Sequence, residues 1–191
     1  MSSGARSASD PPARSHDFFS RPNYLMKFCV LALDYDGTFA EHGRADSGVM
    51  AVLQEARARG IAVVLVTGRR LEDLRRVADD LSVFEAIVAE NGAVLAFPNR
   101  HDRVLGRAPP PALLEELRAH HVEFEVGACV LEADASFAVP ILRVIRQEVP
   151  LVLLFNRSRL MLLPQGISKA TGLREALKIL RRRGFVGILF D

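Results

Sequence analysis

Two aspartates stand one residue apart in the stretch LALDYDGT, directly after an unbroken apolar run. Asp34 and Asp36 can reach the same crevice at the end of a buried strand, because Gly37 lets the backbone turn sharply. One carboxylate can then attack a phosphorus atom as a nucleophile, while the other moves a proton to or from the leaving alcohol oxygen. Two anions that face a phosphate require counter-charge, which a magnesium ion and a lysine would supply, and Lys169 is the candidate lysine.

The elements that would position these side chains follow from the apolar pattern. The run at 28–33 and the stretch IAVVLV at 61–66 predict strands buried on both faces, and an apolar helical stripe follows each of them. The stretch AIVAENGAVLAF predicts a strand, an Asn-Gly turn and a second strand. This alternation predicts a parallel sheet with ligands at the carboxyl ends of its strands, where Asp34, Asp36 and Thr67 fall.

The composition and apolar pattern of the chain change at about residue 98, where the stretch PNRHDRVLGRAPPP is typical of a linker. The alternation of strands and helices resumes with the apolar stretch RLMLLP. The loop QGISK, an apolar helical stripe and the strand FVGILF follow it. We therefore expect a core at 27–97 and 158–191 that is interrupted by a small α+β insert at 98–157. Residues 1–26, which are rich in Ser, Pro, Arg and Ala, predict a disordered tail.

Composition narrows the classes of partner. The formal net charge of +2 comes from 25 basic and 23 acidic residues, so we expect neither a nucleic-acid partner nor a membrane surface. The longest apolar runs fall short of the ~18 residues that a membrane span needs. Cys29 and Cys129 are too few for a disulfide framework, which favours a reducing cytoplasm. Small molecules are the favoured partners, and the sequence leaves the oligomeric state open.

Three motifs, in this order, resemble those of the haloacid dehalogenase superfamily of phosphatases that use an aspartate nucleophile. The stretch LALDYDGT with Asp34 and Asp36 is similar to the first motif, VVLVTGR with Thr67 to the second, and GISKATGL with Lys169 to the third. The succession of TGR, ENGA, an insert and K-x-T-G-L resembles the Cof-like subgroup, which contains sugar-phosphate phosphatases with a cap between the second and third motifs. The resemblance covers residues 27–191.

The resemblance implies an α/β protein with a Rossmann-like parallel sheet, helices on both faces and a small α+β cap at the insert. It also implies a magnesium-dependent phosphatase that hydrolyses small phosphorylated metabolites, similar to sugar phosphates, through an aspartyl-phosphate. In that case Asp34 would be the nucleophile and Asp36 the general acid and base. Thr67 and Gly68 would bind the phosphoryl group, and Lys169 would neutralise its charge.

The magnesium site implied by the resemblance uses the Asp34 carboxylate, the Asp36 backbone carbonyl and an aspartate of a fourth motif, G-D-x-x-N-D. The sequence ends on GILFD, in which Phe190 replaces the glycine that precedes that aspartate and nothing follows Asp191. We therefore expect a truncated fourth motif and a core that is incomplete at its C-terminus. Asp191 is either a ligand of the metal or a solvated terminal residue.

Each candidate residue also has a purely structural interpretation. A D-x-D-G stretch favours turns, threonine is common at the start of helices, and lysine is usually a solvated surface residue, so Thr67 and Lys169 carry weight mainly through their order along the chain. Arg69 and Arg70 either meet an anionic substrate or lie on the surface of a first helical turn.

Rival functions can be separated by the same residues. A response-regulator receiver is rejected because its phosphoacceptor ends the third strand, whereas Asp34 ends the first. A dinucleotide-binding domain would need G-x-G-x-x-G after the first strand, and that pattern is absent from the sequence. The remaining alternative is a non-catalytic, truncated phosphatase-like module, with a regulatory or structural role, that binds phosphate weakly or not at all.

Overall fold

The structure is a computed structural model that describes residues 28–36, 40–41, 44–45, 47–78, 80–98, 100–145, 150–180 and 185–189. Its strands are β1 (Phe28–Asp34), β2 (Ala40–Glu41), β3 (Arg44–Ala45), β4 (Ala62–Val66), β5 (Ala86–Ala89), β6 (Val94–Phe97), β7 (Arg100–Val104), β8 (Phe124–Val126), β9 (Leu131–Asp134), β10 (Leu151–Asn156), β11 (Arg159–Pro164) and β12 (Phe185–Leu189). Its helices are α1 (Ser47–Ala58), α2 (Leu71–Val77), α3 (Pro111–Ala119), α4 (Ala138–Val144) and α5 (Lys169–Leu180). The predicted tail at 1–26 lies outside the described residues, as do Gly37 and Asp191.

The main sheet has the strand order β12-β1-β4-β5-β6-β7. β1 runs parallel to both β12 and β4, and β4 runs parallel to β5. β6 turns back antiparallel to β5, as the Asn-Gly turn predicts, and β7 continues antiparallel at the edge. The predicted Rossmann-like α/β class is therefore confirmed.

Alternation along the strands sends side chains to two separate cores. Leu33 of β1 packs in one apolar cluster with Leu53 of α1 and Leu74 of α2. Ala32, on the opposite face of the same strand, packs in a second cluster with Leu173 of α5. Since successive strand residues point to opposite faces and helices cover both faces of the sheet, the inner strands β4, β5 and β6 are buried along their whole length, whereas the edge strand β7 is exposed.

A second sheet, with the order β10-β11-β9-β8, is antiparallel throughout. Leu117 of α3 and Ile141 of α4 pack against it in a cluster with Leu131, Leu160 and Leu162. Pro111 begins α3, because a helix tolerates proline in its first turn. We call residues 105–164, which contain this sheet and its two helices, the insert.

The bounds of the insert differ from the expected 98–157 at both ends. β7 pairs with β6 in the main sheet, so the main sheet continues to Val104. The stretch RLMLLP forms β11, which pairs with β9 and β10 in the second sheet rather than resuming the core. Leu162 packs with the insert helices, while Leu163 packs with the core, so β11 is apolar on both faces. A strand that is buried on both faces has the same continuous apolar pattern as a core strand, which explains the wrong boundary.

The described helices are short, and the longest of them, α1 and α5, have 12 residues each. Within the ranges that the structure describes, no helix combines the length and the apolar character that crossing a membrane requires.

Candidate active site

β1 ends on Asp34, and its carboxylate lies against the first residue of α5. The Nζ atom of Lys169 is 2.5 Å from Oδ2 of Asp34, and the backbone N–H of Tyr35 donates to Oδ1 over 2.8 Å. The two charged side chains are 34% and 25% exposed, so the ion pair is accessible from solvent. Tyr35 is fully buried and fixes the backbone just beyond the strand. The carboxylate is therefore held in one orientation by a cation on one oxygen and a backbone donor on the other.

The start of α5 is fixed by reciprocal capping. The backbone N–H of Ser168 donates to Oγ1 of Thr171 over 2.8 Å, and the backbone N–H of Thr171 donates to Oγ of Ser168 over 3.1 Å. Side-chain oxygens at this position satisfy amide groups that have no partner within the helix. Lys169 lies between these two residues, so its backbone has a defined position in the first turn.

Thr67 directly follows β4, the strand next to β1. Asp34 pairs with Val66 in the parallel register, which brings Thr67 to the same edge of the sheet as the carboxylate. Thr67 is fully buried, and its backbone N–H donates to the Val88 carbonyl over 2.8 Å. Its Oγ1 accepts the Arg69 N–H over 3.1 Å, which leaves the hydroxyl proton for a further acceptor. Gly68 follows in the same loop and is half-buried.

Asp36 is engaged by an arginine. The Nε atom of Arg69 lies 3.0 and 3.1 Å from the two carboxylate oxygens of Asp36, and Nη2 lies 2.6 Å from Oδ1. The guanidinium also lies over the Tyr35 ring, 5.0 Å from its centroid. Its hydrogen bonds to Asp36 raise the pKa of Arg69 above its ordinary value despite partial burial. The structure thus brings Asp34 and Asp36 to one strand end but gives each a different cation.

Arg70 connects the main sheet to the insert. Its Nε atom is 2.6 Å from Oδ2 of Asp73 in α2, and Nη2 forms an ion pair with Glu125 of β8. Glu125 also lies 3.9 Å from the Arg159 guanidinium of β11. Neither Arg69 nor Arg70 is a free surface arginine, because both pair with carboxylates of the chain.

A sequence model of the haloacid dehalogenase-like hydrolases matches residues 31–141, which is more than half of the 191 residues. The chain belongs to this family. The matched segment contains Asp34, Asp36, Thr67 and Gly68. It ends before α5, so the match does not cover Lys169.

Relatives and solved structures agree with the family. A phosphoglycolate phosphatase of Aeropyrum pernix is 33% identical over 91 residues, which cover 46% of this chain and 38% of the relative, so the chain spans about two fifths of its length. A haloacid dehalogenase-like hydrolase from Bacteroides thetaiotaomicron superposes with a TM-score of 0.65 at 19% identity, covering 81% of this chain and 78% of that one. A second structure from that organism, BT1666, is described among phosphatases of the superfamily and superposes with a TM-score of 0.65 at 18% identity, covering 85% and 76%. At these identities the likeness shows a shared fold.

The donor atoms at the end of β1 suit the magnesium ion that the family resemblance implies. Asp34 and Asp36 supply carboxylate and carbonyl oxygens, the hard donors that Mg²⁺ prefers. Within the part of the chain that the structure describes, no three His, Cys, Asp or Glu side chains converge as a metal-binding group. Asp191, the expected third ligand, lies outside the described residues. The described residues therefore fit the ion by donor type at two positions.

The sequence did not predict the contacts of two residues near the site, Arg69 and Glu90. Arg69 pairs with a carboxylate 33 positions earlier in the chain, and no local pattern indicates that contact. Glu90 is buried at 3% exposure directly after β5, although glutamate is almost never fully buried without a partner. Its place in the stretch ENG beside a predicted strand end was the only available signal.

Proposed function

We propose that the chain is a magnesium-dependent phosphatase that hydrolyses small phosphorylated metabolites through an aspartyl-phosphate on Asp34. The observation that carries the proposal is the contact of 2.5 Å between Lys169 Nζ and Asp34 Oδ2, at the same sheet edge as the buried Thr67. A carboxylate, an ammonium group and a hydroxyl donor at one strand end form a nucleophile beside groups that stabilise a phosphoryl anion.

Asp34 would attack phosphorus, form an acyl phosphate and break the bond to the leaving oxygen. Asp36 would protonate that oxygen, and then remove a proton from the water that attacks phosphorus and releases inorganic phosphate from Asp34. Thr67 and the Gly68 backbone would bind the phosphoryl oxygens, and Lys169 would neutralise their charge. When bound by Asp34 and the Asp36 carbonyl, Mg²⁺ would add positive charge beside the phosphoryl group.

The role of Asp36 requires a rearrangement of its present contacts. Both of its oxygens are bonded to Arg69, so a protonated Asp36 that donates to a leaving group must first give up at least one of those bonds. Phosphate is itself a bidentate partner for guanidinium groups. We propose that an anionic substrate draws Arg69 away and frees Asp36 for proton transfer.

The insert would act as the cap that selects the substrate. Support comes from the Arg70–Glu125 ion pair, which joins the loop after Thr67 to β8 of the insert. Deletion of the insert would be a poor test, because Met161 and Leu163 of β11 pack into the core. Glu125→Gln keeps the shape of the side chain and removes its charge. We expect it to change the ratio of turnover between sugar phosphates and nucleotides, and an unchanged ratio would argue against a selective role for this contact.

The nucleophile is tested by phosphate analogues. Beryllofluoride with magnesium should raise the melting temperature of the wild type, because it occupies the site as an acyl-phosphate mimic on Asp34. Asp34→Asn should lose that shift, whereas Asp134→Asn, a change of the same chemistry on an exposed residue of the insert, should retain it. Equal shifts in wild type and Asp34→Asn would exclude Asp34 as the point of attachment.

A non-catalytic phosphate-binding module is the second candidate. The contact of Arg69 with both oxygens of Asp36 favours it, because the proposed acid is then already engaged in an ion pair. The Arg69→Met variant distinguishes the phosphatase from the binding module. If Arg69 only restrains Asp36, hydrolysis of an aryl phosphate should persist in the variant with an altered pH profile. Binding of inorganic phosphate by the wild type without turnover at any magnesium concentration would support the binding module instead.

A further inference from the structure

The turn between β5 and β6 contains a buried carboxylate on a backbone conformation that non-glycine residues rarely adopt. Glu90 and Asn91 both have φ of 52°, in the left-handed region. Glu90 is 3% exposed. A glutamate that is both buried and left-handed is doubly unfavourable, so the surrounding contacts must hold it there, and such outliers concentrate at functional sites.

The Glu90 carboxylate binds the backbone of the insert. Its Oε1 accepts the N–H of Ala128 over 3.0 Å, and its Oε2 accepts the N–H of Cys129 over 3.0 Å. A Cβ atom placed on Gly127 would lie 2.6 Å from Oε1 and 2.7 Å from Oε2. The loop at 127–129 therefore approaches the carboxylate as closely as a glycine allows, and each carboxylate oxygen has one backbone donor.

The backbone of the same turn binds the two loops that carry the phosphate-binding candidates. The N–H of Glu90 donates to the Arg69 carbonyl over 2.9 Å, and the N–H of Asn91 donates to the Thr67 carbonyl over 3.1 Å. A Cβ atom on Gly92 would lie 2.0 Å from the Ser168 carbonyl oxygen, immediately before Lys169. Three consecutive residues thus contact the loop after β4, the start of α5 and the insert.

We infer that Glu90 is a positioning residue, whose carboxylate fixes the insert loop at 127–129 relative to the loops that present Thr67 and Lys169. Displacement of the insert loop would pull on the Glu90 side chain, and the adjacent backbone donors would transmit the change to Thr67 within two residues. Hydrogen bonds from amides to a carboxylate are stronger than neutral ones, which makes this link stiffer than a turn held by packing alone. The kinetic consequence of this inference rests on the proposed function, but the structural coupling does not.

The first test uses Glu90→Gln, with Glu115→Gln as a matched change on an exposed residue of the insert. Glutamine keeps one acceptor and turns its amide group against a backbone N–H. Hydrogen exchange at the amides of 128 and 129 should speed up by at least about tenfold, the effect of losing one charge-assisted bond. Exchange at the amides of Arg69 and Ser168, which lie in the two site loops, should also rise. Faster exchange at 128 and 129 alone would overturn the coupling.

The same variant should weaken the binding of inorganic phosphate by about tenfold, and should raise KM for an aryl phosphate more than it lowers kcat. These measurements should be made well below the melting temperature of the variant. If Glu90 only stabilised the fold, its replacement would leave phosphate affinity unchanged under those conditions. If the wild type bound phosphate without hydrolysing any ester, the proposed function would fail while the affinity and exchange tests still decided the coupling.

The second test is a double-mutant cycle that does not depend on Glu90→Gln alone. Gly127→Ala should weaken phosphate binding, because its methyl group must push the loop off the carboxylate. In a Glu90→Ala background the clash is removed, so the same glycine change should have little further effect. Equal effects of Gly127→Ala in both backgrounds would show that the two residues act independently and would overturn the inference.

Discussion

Substitution of Lys169 by methionine separates the catalytic and structural contributions of the pair at the strand end. Methionine keeps much of the length of the side chain and removes the charge that lies 2.5 Å from the Asp34 carboxylate. Unit charges about 4 Å apart at an effective dielectric of about 20 interact by roughly 4 kcal/mol. However, the two side chains are 34% and 25% exposed, and ion pairs of such exposure contribute on the order of 1 kcal/mol or less to folding.

The catalytic effect of the same change should be much larger. Negative charge on the phosphoryl oxygens must be neutralised in the transition state, and removing one preorganised electrostatic group lowers kcat by about 10²–10³-fold. We therefore expect Lys169→Met to lose about that factor in kcat for an aryl phosphate, while the free energy of unfolding changes by about 1 kcal/mol or less. Urea unfolding and initial-rate kinetics on the same preparation measure the two quantities.

Lys178 provides a matched control on the same helix. Its ammonium group is 2.6 Å from Glu175, and its side chain is 63% exposed, so Lys178→Met removes an ion pair of similar length that lies away from the strand end. This variant should keep wild-type kcat. A loss below tenfold in Lys169→Met, or an equal loss in Lys178→Met, would refute the assignment of Lys169 as the group that neutralises the phosphoryl charge.

Three further predictions concern packing, reactivity and pH. Gly172→Ala should destabilise the fold by about 1–3 kcal/mol in urea unfolding despite its better helix propensity, since the new Cβ would lie 2.5 Å from the Gly92 Cα; a stabilised variant would contradict this packing. Cys129 should react with iodoacetamide only on unfolding, as peptide mapping can show, because burial raises the pKa of its thiol and leaves it 1% exposed; rapid alkylation of the folded protein would contradict it. Hydrogen bonds from the side chain and then the backbone of Ser136 lower the pKa of Asp134, so its stabilising effect is present above the unfolded value of about 3.9 and is lost as pH falls through the lower folded pKa. Melting temperatures between about pH 5 and pH 2 should therefore fall less steeply in Asp134→Asn than in the wild type, and parallel curves would contradict this.

The sequence alone was sufficient to predict those strands and helices whose environment depends mainly on residues close together along the chain. Continuous apolar runs predicted β1 and β4, because a strand buried on both faces has few polar positions, and apolar residues at helical spacing predicted the helices that follow them. The Asn-Gly turn predicted the antiparallel return of β6. Lys169 could be singled out because it precedes an amphipathic helix after a short loop, and the structure places it against Asp34.

The bounds of the insert and the partners of charged side chains could not be predicted in the same way. β11 has the apolar pattern of a core strand because one of its faces packs against the main core and the other against the core of the insert. Composition does not distinguish such a strand from one that lies inside the main sheet. Glu90 contacts amides 38 and 39 positions later in the chain, so its burial depends on where the insert folds back. Contacts of this separation are set by tertiary structure, and periodicity within one element carries no information about them.

The different cations beside the two aspartates have a chemical consequence for the proposed reaction. The Lys169 ammonium has three donors and contacts one oxygen of Asp34, so it can retain that contact while another N–H reaches a phosphoryl oxygen. The Arg69 guanidinium contacts both oxygens of Asp36, so a protonated Asp36 cannot donate to a leaving group until at least one of these hydrogen bonds is broken. The proposed nucleophile is therefore oriented before substrate arrives, whereas the proposed acid depends on a rearrangement. An anion that competes for Arg69 would provide that rearrangement, so proton transfer would follow substrate binding.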